Sequence, residues 1–134
     1  MKSKAPLLLM EQMVMLLVFA LAAALCLQAF ALSDRLSRRS EARDKGVILS
    51  QTAAEVIRHQ GGTAETALEK AAASLGGTYD PAAPELSLEG EGPLRVIAKP
   101  VPTGVPGLAK ASLQVEWEGE VLFEMETAWQ EVTS

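Results

Sequence analysis

Glu11 is the residue whose position most demands an explanation. With Gln12 it interrupts two apolar runs, residues 7–10 and 13–32, the second uncharged and broken only by Gln28. A carboxylate toward the middle of a bilayer costs about 2.5–3.5 kcal/mol on insertion scales, so such a group has a partner or stays near the interface. Glu11 therefore offers recognition: a partner inside the membrane, or headgroups and water one turn within its edge. The remaining reactive types give less. His59, between Arg58 and Gln60, reads as part of a solvated helix end. Cys26 lies inside the apolar run, where it fits as a small filler of a buried helix. One cysteine makes no intrachain disulfide, and Leu25 stands where a lipoprotein site wants a small residue. One His and one such Cys assemble no nucleophilic triad. Glu85, Glu89 and Glu91 read as a loop charge run. Glu116, Glu118, Glu120, Glu124 and Glu126 read as the wet face and turn of a hairpin, at most a weak attractor of cations. No cofactor, no metal and no enzymatic activity are expected.

The totals restrict the setting. At 134 residues the chain has room for one domain, or for an anchor and a small domain. The net charge of −5 is concentrated toward the C-terminus, which speaks against a nucleic-acid interface built on grouped Lys and Arg. The apolar residues crowd into the first quarter, so a soluble core must come from the residues after 33, a marginal size without a long helix or a partner.

The twenty residues 13–32 reach roughly 30 Å as a helix, the thickness of a hydrocarbon core. They are rich in Leu, Ala and Met and contain neither Gly nor Pro. This predicts a transmembrane helix over 7–32 behind a short basic leader, 1–6. A secretory signal cut after Ala31 is the rival, from Lys2, Lys4 and the small-x-small pattern Ala29-Phe30-Ala31, but its apolar region is longer than such signals use. Counting basic residues, Lys2 and Lys4 before the span against Arg35, Arg38, Arg39, Arg43 and Lys45 after it, would by itself put the C-terminal side in the cytoplasm. A long C-terminal domain overrides such a count, so composition leaves the orientation open.

Residues 33–60 continue as an amphipathic helix. Asp34 precedes Arg38 and Glu41 precedes Lys45 by four residues, and Leu49, Ala53, Val56 and Ile57 form an apolar stripe. Gly46 is a candidate kink and Gly61-Gly62 a stop. Thr63 caps a second helix from Ala64 to about Leu75, ended by Gly76-Gly77. The head, 61–134, then passes through a loop with Pro81 and Pro84 and turns to period two. Leu94, Val96 and Ala98 form one strand face; the prolines from Lys99 to Gly107 require a loop or edge excursion. Leu113, Val115 and Trp117 form the next face, Glu118-Gly119 a two-residue turn, and Val121, Phe123, Met125, Thr127 and Trp129 the returning one. The expectation is an α+β fold with the helix stripe covering one face of a small antiparallel sheet.

The basic leader, the apolar helix with one Glu near its start, the amphipathic continuation and the small sheet together resemble type IV pilins and pseudopilins. The resemblance rests on Leu7-Leu8-Leu9-Met10-Glu11 and covers strictly about the first thirty residues. It implies a pilin-like fold and leader removal by a prepilin peptidase between Pro6 and Leu7, with methylation of the new N-terminus. It further implies that Glu11, then fifth in the mature chain, meets the free amine of a neighbouring subunit during assembly. The implied role is that of a minor pilin or pseudopilin in a type IV pilus, type II secretion or competence-type filament. Its partners would be the membrane and other pilin-like subunits. The implied location is the cell membrane, single-pass with the head extracytoplasmic, or a surface filament. Two positions depart from the pattern: Pro6 stands where the family has Gly, removing an amide hydrogen and fixing φ, and the helix-bending proline of the family's apolar segment is absent. A stand-alone single-pass protein whose head binds a partner in an envelope complex, and a secreted module starting at Leu32, are the rival readings.

Overall fold

The computed structural model describes residues 4–132. The chain divides into two compact units, Met1–Ser40 and Glu41–Ser134. Helix α1 runs unbroken from Ala5 to Gln60. Pro6 is its second residue, in the first turn, where the amide hydrogen it lacks has no intrahelical acceptor to lose.

In the second unit, α1 buries Ala42, Gly46, Ser50, Ala53, Ala54 and Ile57, a face recurring every three or four residues. Leu49 and Val56 of the expected stripe are half-buried at its flanks. Gly46 does not interrupt the helix. A Cβ there would lie 2.6 Å from Val115 Cγ1, so the absent side chain lets the helix close on the sheet. Ser50 is fully buried, and its hydroxyl donates to the carbonyl of Val47 (3.0 Å), which keeps it satisfied.

Helix α2, Ala64–Leu75, has the expected bounds: Thr63 caps it by accepting from the Thr66 amide, and Gly76 closes it with its N–H on Ala72. Ala67, Leu68, Ala71 and Ala72 are buried against the sheet, so α2 shares the covering of the core with α1.

The sheet is an antiparallel meander in chain order, β1 (Thr78–Asp80), β2 (Glu85–Glu89), β3 (Leu94–Val101), β4 (Leu108–Trp117) and β5 (Glu120–Gln130). Strands β1 and β2 correct the loop expected around Pro81 and Pro84. The prolines occupy only the turn, where Asp80 Oδ1 accepts from the Ala82 amide (2.9 Å), and Leu86 and Leu88 alternate inward between Glu85, Ser87 and Glu89. Glu85 and Glu89 are thus strand residues, not a loop run, facing Lys99 (3.2 Å) and Arg95 (3.9 Å). Pro100 belongs to β3, paired with Ala111 of β4, at a point beyond the last β2–β3 pair, Leu86–Ala98. Its missing amide hydrogen is tolerated because β3 has become an edge there.

Glu118 (φ 52°) and Gly119 (φ 80°) both adopt the left-handed conformation a two-residue I′ hairpin needs. The returning strand departs from simple alternation. Val115 pairs with Phe123 but Glu116 pairs with Val121, so Leu122 is an extra residue, a β-bulge. The slip moves Val121 off the expected apolar face and leaves it 47% exposed. Beyond the bulge, Phe123, Met125, Thr127 and Trp129 face inward, and the Trp129 indole donates to the Gly62 carbonyl (3.0 Å), tying β5 to the α1–α2 turn.

Candidate functional site

The N-terminal part of α1 presents a surface of one chemical kind. Leu7, Leu8, Leu9, Met10, Met13, Val14, Met15, Leu16 and the apolar residues after them to Leu32 are exposed, Leu7 at 74% and Phe30 at 74%. Nothing of its most apolar stretch is buried, and α1 is long and apolar enough to cross a membrane. A helix apolar on all sides is stable only in surroundings that cover all sides, and the described residues supply none. Leu, Ala and Met form the helix by intrinsic preference.

Glu11 lies one turn after Leu7 on this surface and is exposed. Among the described residues no hydrogen bond or ion pair engages its carboxylate. Pro6 and Leu7 are helical, so the peptide bond between them sits in the first turn of α1 rather than in an extended segment. The first three leader residues, Lys2 among them, lie outside the described residues; Lys4 accepts a hydrogen bond from the Leu8 amide at its carbonyl (3.2 Å). The structure brings Pro6, Leu7 and Glu11 within two turns of one helix, and among the described residues no second reactive group joins them. Cys26 is exposed on the apolar stretch of α1.

The head exposes Ile48, Val105, Val121 and Val132 among polar residues. On the outer face of the sheet, besides the Lys99–Glu85 and Arg95–Glu89 pairs, Lys110 meets Glu126 and Ser112 donates to Glu124, each at 2.5 Å. Two of the five hairpin glutamates expected as a wet face, Glu124 and Glu126, are thereby cross-strand partners. On α1, Lys45 lies 3.0 Å from Glu41 and 2.5 Å from Glu91 of the β2–β3 turn. The Glu91 carboxylate, then Glu41, holds the Lys45 ammonium above its ordinary range, and Lys45 holds Glu91 below its own. Beside this pair is a shallow apolar groove lined by Ile48, Leu49, Thr52, Gly90 and Leu94. His59 is exposed near the end of α1. Among the described residues no cluster of three or more His, Cys, Asp or Glu is placed to hold a metal ion.

Compared with known proteins, the chain matches no family model, no curated protein and no solved structure.

Sequence reasoning located the apolar helix and Glu11. It missed the small-residue face that seats the second half of α1, because Gly46 and Ser50 are not apolar by type; their spacing from Ala42 and Ala53 was the available signal.

Proposed function

We propose that this chain is a pilin-like structural subunit, a minor pilin or pseudopilin of a type IV pilus, type II secretion or competence-type filament. Residues 7–32 lie in the membrane and bundle there with equivalent helices. The observation that carries this reading is a single exposed carboxylate, Glu11, near the start of an otherwise apolar and wholly uncovered helix that continues unbroken into a small α+β head. An unpartnered carboxylate in such a place costs energy unless a cation reaches it, and a neighbouring subunit's freed amine, after removal of residues 1–6, is a cation at the right depth. Their pairing rewards one stagger between helices and penalises others. Ala22, Ala23 and Ala24 allow close helix approach. The head is extracytoplasmic in this reading.

A second reading is favoured by one observation. Pro6 fixes the first turn of α1, so the scissile bond is helical and lacks the residue the family's peptidase reads. On this reading the chain keeps its leader as a single-pass anchor, and the head binds a partner in an envelope complex.

Mass spectrometry of the membrane-extracted protein separates the two: an N-terminal, methylated Leu7 is expected of the subunit, an intact N-terminus of the anchor. For the subunit, Glu11→Ala inserts normally but is lost from cross-linked oligomers. Undiminished cross-linking would remove Glu11 from assembly.

A further inference from the structure

Directly after the apolar segment α1 reads Ser33-Asp34-Arg35-Leu36-Ser37-Arg38-Arg39-Ser40, all of it exposed. Three guanidinium groups share these two turns with one carboxylate, Asp34, whose Oδ2 lies 3.1 Å from Arg38 Nε. Three positive charges less one leave an excess of two in eight residues. At about 1.5 Å per residue, Arg35 lies about 4.5 Å beyond Leu32 and Arg39 about 10 Å. The headgroup layer outside the hydrocarbon core is roughly 5–7 Å thick on each side. Arg35 therefore falls at the level of the lipid phosphates. Arg38 and Arg39 fall just outside, within a screening length of about 8–10 Å, and their long side chains reach back. Arg35 and Arg38, and Arg35 and Arg39, are at the three- and four-residue spacings that put side chains on a common helix face. Leu36, 58% exposed among them, lies about 6 Å beyond Leu32, level with the headgroups.

We infer that Arg35, Arg38 and Arg39 form a binding belt for anionic phospholipid headgroups at the end of the span nearer the head. Guanidinium groups suit this ligand because their fork of N–H donors matches two phosphate oxygens at once. The belt rests on the reading of residues 7–32 as a membrane span, and it fixes the depth at which that span stops. It holds an unassembled subunit in register with the bilayer surface, so that Glu11 of neighbouring helices sits at a common depth.

The test uses the full chain. Flotation with neutral phosphatidylcholine vesicles establishes the span. In detergent micelles the chain is then titrated with phosphatidylglycerol and with phosphatidylcholine of the same acyl chains, and retained lipid is read by native mass spectrometry. The expected result is roughly 25-fold stronger retention of phosphatidylglycerol, since each basic residue at a membrane surface strengthens binding about fivefold and Asp34 offsets one of the three. The variant R35Q/R38Q/R39Q, which keeps good helix formers on an exposed face, is expected to retain both lipids equally. Soluble glycerol 3-phosphate is expected not to displace the lipid. Equal retention by the unaltered chain, a preference that survives the triple substitution, or displacement by glycerol 3-phosphate would each overturn the belt. A chain that floats with neutral vesicles yet shows no lipid preference refutes the belt alone. One that does not float refutes the span and the belt with it.

Discussion

Residues 7–32 and residues 42–57 belong to one unbroken helix, yet their surfaces follow opposite rules. The first stretch is mostly Leu, Met, Val and Phe with interspersed Ala and buries none of its most apolar surface; the second buries a continuous face made of Ala, Gly and Ser with one Ile. Bulky side chains that are exposed need fit no fixed surface. Small side chains on one face satisfy a solid partner, because they let the helix axis approach the sheet until Gly46 meets Val115. Residue size, more than polarity, thus reports what each half of α1 touches. It also explains how a head this small makes a core: α2 repeats the device with Ala67, Ala71 and Ala72 beside Leu68.

The comparison breaks most visibly if charge is placed in the first stretch. Val18→Arg with Leu21→Arg is expected to cost about 5–7 kcal/mol of insertion free energy and to release the chain from carbonate-washed membranes. The same two substitutions are expected to leave the urea midpoint of the head, followed by Trp117 and Trp129 fluorescence, unchanged. In the second stretch the reverse holds. Ile57 is completely buried, and Ile57→Ala is expected to destabilise the head by about 2–5 kcal/mol without altering membrane extraction. Gly46→Ala sharpens the size argument. It gains about 1 kcal/mol of helix propensity, but pushing Val115 aside costs about 1–3 kcal/mol, and the expected balance is a lower urea midpoint. A rise instead would mean that the helix-to-sheet distance adjusts freely.

The smallest effect concerns the exposed pair joining α1 to the β2–β3 turn. Lys45 is held above its ordinary 10.5, so its contribution is complete below that value and is lost as pH rises through the raised one. Glu91 is held below its ordinary 4.5, so its contribution is complete above that value and is lost as pH falls through the lowered one. Glu91→Gln is therefore expected to show a small stability deficit on a plateau between these two values, shrinking with added salt. A deficit confined to one pH extreme would contradict the pairing.

Much of this was legible in the sequence because local and tertiary preferences agree. Thr63 and Gly76 mark α2 by side-chain and backbone chemistry that needs no partner, and Leu94-Val96-Ala98 and Leu113-Val115-Trp117 alternate without interruption. The hidden parts are those where a local signal pointed elsewhere. Pro81 and Pro84 masked β1 and β2, although Glu85-Leu86-Ser87-Leu88-Glu89 alternates. Pro100 read as a loop or an edge, and β2 ending before it makes it an edge, which the sequence alone does not show. Val121 looked inward because a bulge at Leu122 is a property of the pairing with β4, not of β5 alone. Glu11 was found by its incongruity, and the partner that would give it meaning is outside a single chain.

The account depends on residues 7–32 being surrounded by lipid, and the single cysteine reports on that directly. A nitroxide on Cys26 of the full chain in phosphatidylcholine vesicles is predicted to collide often with dissolved oxygen and rarely with a water-soluble nickel chelate, as a label in hydrocarbon does. A label on Cys26 that the nickel chelate reaches as readily as one placed on the exposed head would contradict it.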